Sequence, residues 1–210
     1  MNTLLKTVAS TLLIACAPAA FAASTVDLTV TGLITPNSCT PQLSGGGQVD
    51  YGKISAKDLS ATGTTLLPTQ TLQMSVTCTA PILIGLKAID NRAGSSISTD
   101  GSMGLGLING DQKLGKYSLY LREPIADERP LQAIAATEGG TTSWSSQAFW
   151  SSQYLSSVAV ISGDPNPVPT PVQNLTVGLE VMVSIAATDS LDLSNEVPLD
   201  GSATLEVKYL

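Results

Sequence analysis

Histidine is absent from this 210-residue sequence, and charged residues make up only 13% of it. Without histidine, neither a Ser-His-acid catalytic arrangement nor a histidine-based zinc site can form. Apolar side chains recur with almost no helical period, and beyond the first residues no apolar run approaches the ~20 residues of a membrane-spanning helix. These absences leave little support for catalysis, and we expect a non-enzymatic protein that needs no cofactor and no metal.

Basic residues are also scarce. The chain has 17 acidic and 10 basic residues, which gives a formal net charge of −7. Nucleic acid binding requires a basic face, and so does electrostatic adhesion to anionic lipid. Both partner classes are therefore disfavoured.

The first residues have the features of a secretory signal peptide. Lys6 supplies the positive charge, residues 11–17 the apolar centre, and Ala20-Phe21-Ala22 a cleavage site of small residues. We predict a signal peptide over residues 1–22, followed by a single exported domain. The alternative, an uncleaved anchor, is disfavoured because the apolar segment is too short to span a bilayer.

The mature chain keeps two cysteines, Cys39 and Cys78, because Cys16 would leave with the signal peptide. An even number of cysteines in an oxidising compartment predicts a disulfide bond. In the chain-entropy model, closing a loop of about 40 residues contributes roughly 4 kcal/mol. Two separate buried thiols are the alternative.

Short segments of alternating apolar and polar residues, separated by turn signals, occupy most of the chain. Such a pattern predicts an antiparallel β-sandwich. Asn109-Gly110-Asp111 is a hairpin turn signal, residues 164–171 are predicted as an extended proline-rich connector, and residues 141–152 as a surface loop or short helix. The predicted strands cover residues 49–54, 72–78, 82–88, 103–108, 117–121, 154–161, 175–186 and 203–210.

The two ends of the sequence match each other. Apolar residues alternate along residues 26–34 and again along residues 203–210, where the sequence stops. The first of these strands has no evident partner within the domain, and no hairpin follows the second. This combination indicates a subunit with a spare strand that completes its neighbour.

Four sequence features in this order resemble the subunits of chaperone–usher pili of Gram-negative bacteria. Two central segments also resemble a fimbrial-like subgroup formerly labelled a domain of unknown function. The four features are Gly32 seven residues before Cys39, the Asp50-Tyr51-Gly52 segment, Cys78 at the end of an alternating strand, and the penultimate Tyr209; the central segments are Asp90-Asn91-Arg92 and Gly104-Leu105-Gly106.

The resemblance implies an incomplete immunoglobulin-like antiparallel sandwich over residues 38–210 that lacks its last strand, with a donor arm at residues 23–37. In that family a periplasmic chaperone lends the missing strand, and an outer-membrane usher exchanges it for the next subunit's arm. The expected function is that of a structural subunit of a surface fimbria that supports cell adhesion or biofilm formation. The expected partners are identical or related pilin subunits, the chaperone and the usher.

The resemblance also assigns roles to individual residues. The apolar residues of the arm would fill the neighbour's groove, and Gly32 would lie where that groove is too narrow for a side chain. The last strand would form the edge that accepts a donor strand or the chaperone. The donor residues are Val26, Leu28, Val30, Gly32 and Ile34, and the acceptor residues are Ala203, Leu205, Val207, Tyr209 and Leu210.

Three alternatives remain open. A secreted or surface carbohydrate-binding adhesin module with a closed sandwich would use flat aromatic faces against a host glycan or surface receptor, and aromatics at this spacing also fit a packed patch. Paired carboxylates could serve a glycosidase, although these segments have the composition of turns. Acidic residues near the C-terminus could bind calcium but lack a recognisable loop spacing. The aromatics are Trp144, Phe149, Trp150 and Tyr154; the carboxylates are Asp90 with Asp100, and Asp127 with Glu128; the calcium candidates are Asp189, Asp192 and Glu196.

Overall fold

The computed structural model describes residues 28–32, 38–137 and 143–210. The chain divides into a unit of residues 1–34 and a unit of residues 35–210. The predicted signal peptide lies outside the described residues. The disulfide between Cys39 and Cys78 is present, which confirms that prediction.

The described part of the second unit contains strands and short 3₁₀ turns, and none of its helical segments has the length and apolar character needed to cross a membrane. The 3₁₀ turns are Ser44–Gly47, Ala56–Asp58 and Thr188–Ser190. The strands are β1 (Cys39–Leu43), β2 (Thr65–Leu66), β3 (Gln70–Ile82), β4 (Ile84–Asp90), β5 (Met103–Gly104), β6 (Leu107–Ile108), β7 (Gln112–Lys113), β8 (Gly115–Ala126), β9 (Arg129–Thr137), β10 (Ser145–Ser146), β11 (Tyr154–Val160), β12 (Val172–Ile185) and β13 (Ala203–Tyr209).

The strands form two antiparallel sheets that enclose one core. The first sheet has the order β1-β3-β12-β8, with β2 beside β12 and β5 beside β8. The second has the order β9-β11-β4-β13, with β10 beside β9. The β8–β9 hairpin joins the sheets along one side. The predicted all-β antiparallel sandwich is confirmed.

Alternation of side chains places the apolar residues between the sheets. In β12, every second residue from Leu175 to Ile185 is buried, as expected for a strand with one face on the core. Met74 and Val76 of β3 and Leu86 of β4 belong to the same cluster. A smaller cluster on the other face of the second sheet contains Ile134, Ala136, Ala159 and Trp144.

Most of the predicted strands are present. The predictions for residues 72–78, 154–161, 175–186 and 203–210 correspond to β3, β11, β12 and β13. The Asn109-Gly110 turn joins β6 to β7, and both residues have positive φ, +52° and +97°. The turn was therefore predicted correctly, although its second strand is Gln112–Lys113 and not residues 117–121.

Two predictions of local structure are wrong. Residues 49–54 form no strand, because Gly52 has φ +61° and its N–H donates to Asp50 Oδ1 at 2.7 Å, which closes a local turn. The described part of residues 141–152 is neither helix nor loose loop. Its main chain bonds to both sheets: Trp150 N–H donates to Leu119 O of β8 at 2.8 Å, and Gln147 N–H donates to Ala133 O of β9 at 3.1 Å.

Candidate functional site

Two edge strands, β1 of the first sheet and β13 of the second, face each other across the opening of the sandwich. Each pairs with a strand on one side only among the described residues, β1 with β3 and β13 with β4. They meet at one end, where the Cys39 N–H donates to the Tyr209 hydroxyl at 3.0 Å. Away from this contact a groove separates the two edges.

The groove contains two cavities that share lining residues. The first has a volume of about 270 Å³, and its floor is formed by core residues of β8 and β12. Its walls come from both edges and from the segments that follow β1 and precede β13. The lining residues are Leu43, Gly47, Val49, Tyr51, Leu72, Leu105, Tyr117, Leu119, Leu179, Val181, Val183, Leu199, Gly201, Ser202, Ala203 and Leu205.

The second cavity, of about 640 Å³, continues the groove away from the Cys39–Tyr209 contact. Residues 49–59 form one wall and residues 193–199 the other, with Leu114 and Ile185 between them. A salt bridge from Lys53 Nζ to Glu196 Oε1, 3.0 Å long, links the two walls. Both side chains are about 90% exposed, so this pair contributes little to holding the walls together.

Apolar residues along the groove are only partly covered. Leu43, Leu72, Leu193 and Val197, together with the inward residues of β13, pack against the core but keep part of their surface exposed. A strand with one face on a completed core would have these positions buried, as β12 has. The sandwich therefore has apolar surface available along this one opening.

The structure brings the predicted acceptor residues to one wall of this groove. Ala203 and Leu205 line the first cavity, and Val207 packs against the core beside them. Leu210 is 41% exposed, and its N–H donates to Leu83 O at 3.2 Å. Tyr209 lies where the two edge strands meet.

Hydrogen bonds hold the start of β13 in place. Arg92 pairs with both carboxylate oxygens of Asp200, at 2.8 and 2.7 Å, and Asp200 N–H donates to Leu105 O at 3.1 Å. Hydrogen bonding by Arg92 lowers the pKa of Asp200, so the pair stays ionised well into the acid range. Gly201 then passes against the Tyr117 ring, where a Cβ would lie 3.0 Å from the ring edge.

The donor residues fall partly outside the described residues. Val26 and Ile34 are not described. Leu28 and Val30 are 88% and 86% exposed, and a Cβ added to Gly32 would meet no atom within 4 Å. The part of the arm that is described therefore presents large apolar side chains to solvent.

Two tyrosine hydroxyls are buried beside the groove, and sequence reasoning missed both. The Tyr51 and Tyr117 oxygens have no hydrogen-bond partner among the described residues. Burial raises the pKa of Tyr51; burial and the charge of Asp90 raise the pKa of Tyr117. Both phenols therefore remain protonated at neutral pH. The Asp50-Tyr51-Gly52 segment was noticed, but no pattern in the sequence points to Tyr117.

The prediction that aromatic side chains form a receptor-binding surface is wrong for the two tryptophans. Trp150 is fully buried, and its indole N–H donates to Leu86 O at 3.1 Å. Trp144 is 5% exposed and packs on the second sheet. Phe149 is half-buried with its ring centroid 5.4 Å from that of Tyr120, and Tyr154 is half-buried at the start of β11. Pairing of residues 147–150 with β8 and β9 places the Trp150 ring in the core.

The candidate acidic residues hold turns and loops. Asp90 accepts from the N–H groups of Arg92 and Gly104, and Asp127 from those of Gln173 and Asn174. Asp100 pairs with Lys116 at 2.9 Å. Across the described ranges, no three histidine, cysteine, aspartate or glutamate residues are grouped so that they could hold a metal ion, the candidates Asp189, Asp192 and Glu196 included.

Comparisons with known proteins connect the chain to proteins whose names state no function. A family model described as "Protein of unknown function (DUF1120)" matches residues 28–117. Protein GltF of Escherichia coli (strain K12) is 28% identical over 236 aligned residues, which cover 91% of this chain and 93% of the relative. Uncharacterized protein YhcF of the same strain is 26% identical over 226 residues, covering 92% and 94%. The chain is thus similar to these proteins over nearly its whole length.

Proposed function

We propose that this chain is a structural subunit of a surface fimbria, assembled by insertion of one subunit's N-terminal arm into the groove of the next. The observation that carries the proposal is the groove between β1 and β13, whose apolar floor and walls are incompletely covered. Each wall is an edge strand with one unpaired side among the described residues. An inserted strand would bond to both edges and bury the exposed apolar surface.

The arm has the composition that such a groove requires. The apolar residues at positions 26, 28, 30 and 34 lie an even number of positions apart, so an extended arm would direct these four to one face. Insertion of the arm of a second copy would therefore place its apolar side chains in the apolar groove. The main chain of the arm would form hydrogen bonds with the unpaired sides of β1 and β13.

A groove of this kind also requires protection before assembly, because an unpaired apolar edge promotes aggregation. A periplasmic chaperone that lends a temporary strand, and an outer-membrane usher that exchanges it, would meet this need. We accordingly propose export through the periplasm and a final location on the surface of a Gram-negative bacterium, in a structure that supports adhesion or biofilm formation. The proposed role includes no catalysis.

A carbohydrate-binding adhesin with a closed sandwich is the weaker alternative. Its main support was the exposed aromatic cluster, and the two indole rings in that cluster are buried. In a closed sandwich the inward residues of β13 would be buried, whereas here they are only partly covered.

The experiment uses the chain from Ala23 to Leu210 with Leu28→Asp and Val30→Asp, which we call the arm-silenced chain. We expect it to be monomeric, and we expect a synthetic peptide of residues 23–37 to raise its Tm. At a peptide concentration of about 100 times Kd, the stabilisation is roughly 2.7 kcal/mol, or about 5–10 °C for a domain of this size. Thermal unfolding with and without peptide measures the shift.

The matched control is the same peptide carrying the same two aspartates, which would have to bury charge in the groove. It should leave the Tm unchanged. If the native peptide has no more effect than the control, strand insertion is not the function of this groove.

A further inference from the structure

The groove is not purely apolar, because two phenol hydroxyls lie beneath its surface. Tyr117 is only 7% exposed and Tyr51 is partly buried, and both line the first cavity. Neither hydroxyl oxygen has a hydrogen-bond partner among the described residues. Buried polar groups in folded proteins nearly always have one. This arrangement is therefore unfavourable for the structure as described.

The two tyrosines belong to different parts of the same groove, Tyr51 to a wall and Tyr117 to the floor. Tyr51 follows β1 and lines both cavities, whereas Tyr117 projects from β8, and its ring meets the main chain at Gly201, just before β13. A strand that enters between the edges would lie against this wall and this floor. Its main chain would supply polar atoms beside the two tyrosines.

We propose that Tyr51 and Tyr117 are specificity-determining residues of the groove, whose hydroxyls form hydrogen bonds to the main chain of the inserted arm of a second copy. This inference rests on the proposed function and adds to it a polar recognition element. The partner is main chain because the inward residues of the arm, Val26, Leu28, Val30 and Ile34, have no polar side-chain atoms. The arm's threonines alternate with them and point away.

Two effects of opposite sign follow for Tyr→Phe substitutions. Phenylalanine keeps the ring but removes the hydroxyl, so a buried group without a partner disappears from the unfilled groove, and a hydrogen bond disappears from the filled one. Each substitution should therefore raise the Tm of the unfilled protein and weaken its binding of the arm.

The test uses the arm-silenced chain with Tyr51→Phe, Tyr117→Phe or both, and a fluorescent peptide of residues 23–37. For each single variant we expect a higher Tm without peptide and a Kd raised about ten-fold, the factor that corresponds to roughly 1.4 kcal/mol. Tyr120→Phe is the matched control. It lies on β8 as well, but its ring packs at a tilt against Phe149 and it does not line the groove. The Tm without peptide and the Kd of the peptide should therefore equal those of the arm-silenced chain.

A second peptide, with Thr29→Val and Thr31→Val, separates main-chain from side-chain partners. If the hydroxyls bond to main chain, the phenylalanine variants lose the same factor for both peptides. A loss that vanishes with the valine peptide would show that a threonine is the partner and would overturn the assignment.

Unchanged or tighter binding by both phenylalanine variants would overturn the inference while leaving strand insertion intact. Failure of the arm-silenced chain itself to bind any arm peptide would overturn the proposed function and this inference together.

Discussion

Single residues at the centre of the sandwich show how closely its layers approach. Trp150 joins two strands of different sheets, since its main-chain N–H donates to Leu119 O of β8 and its indole N–H donates to Leu86 O of β4. At Gly115 of β8, a Cβ would lie 2.2 Å from the carbonyl oxygen of Ser184 in β12, so only glycine fits the observed backbone there. Trp150 thus links the two sheets, and Gly115 allows the close approach of β8 and β12 within the first sheet.

Removal of the Trp150 side chain should therefore be costly. We expect Trp150→Ala to lower the free energy of unfolding by about 3–5 kcal/mol, because it leaves a large cavity and a buried carbonyl at Leu86 without its donor. Phe149→Ala is the control, since that side chain is half-buried, and it should cost clearly less. Urea unfolding of both variants measures the difference. If Trp150→Ala folds too poorly to measure, Trp150→Phe, with a smaller cavity, replaces it. Equal losses at the two positions would contradict the assignment of Trp150 to the core.

At the scale of elements, the two groove walls are secured differently. β13 has a full ladder with β4 over Ala203–Tyr209, and Arg92 fixes the segment before it through Asp200. β1 is shorter, has a ladder with β3 alone, and begins at the disulfide, where Cys39 lies directly opposite Cys78. The disulfide is therefore a covalent constraint on the position of β1 that β13 does not have.

Loss of the disulfide should weaken this wall most. Replacing both cysteines by alanine removes a cross-link between residues 39 apart in sequence, for which the chain-entropy model predicts a loss of about 4 kcal/mol. Urea unfolding of the double variant measures the loss, and reduction of the unaltered protein provides an independent comparison. The arm-silenced form of the double variant should also bind the arm peptide less tightly. A loss well below 1 kcal/mol would mean that packing alone holds β1 against β3.

At the scale of the whole molecule, the chain combines a compact sandwich with an arm that belongs to a separate unit. The sandwich carries an incompletely covered groove, and the described part of the arm carries exposed apolar side chains at Leu28 and Val30. If the arm fills the groove of another copy, every contact joins an arm to a groove. Such head-to-tail contacts build a fibre that grows without closing into a ring. Assembly would then depend on the arm, whereas folding of the sandwich would not.

Gly32 tests this separation of folding from assembly. In the chain from Ala23 to Leu210, at concentrations too low for association, we expect Gly32→Leu to leave the Tm of the sandwich unchanged, since a side chain there meets no atom within 4 Å. The same change should abolish concentration-dependent association, because the added side chain would enter the neighbour's groove where it is narrow. Light scattering and size-exclusion chromatography measure association. Thr31→Leu, at the adjacent outward position, is the control and should still associate. Normal association of Gly32→Leu would contradict the arm assignment.

Local patterns in the sequence were sufficient to predict most of the strands and the disulfide. β3, β12 and β13 were predicted because each has one face on the core, and burial on one face requires apolar residues at every second position. The Asn109-Gly110 turn was predictable because both residue types tolerate positive φ. The strands and the turn depend on neighbours in sequence, and the disulfide on the number of cysteines and the compartment, so the sequence by itself determined them.

Only the tertiary structure decided the features that depend on distant segments. Trp150 is buried because residues 147–150 pair with β8 and β9, and no period of apolar residues indicates such a pairing. Residues 49–54 and 193–199 face each other across the groove although each is irregular, and Tyr51 and Tyr117 come from different elements. The groove is the space between β1 and β13, where the two sheets are not joined by hydrogen bonds. Its shape follows from the packing of the whole core, which local sequence patterns do not encode.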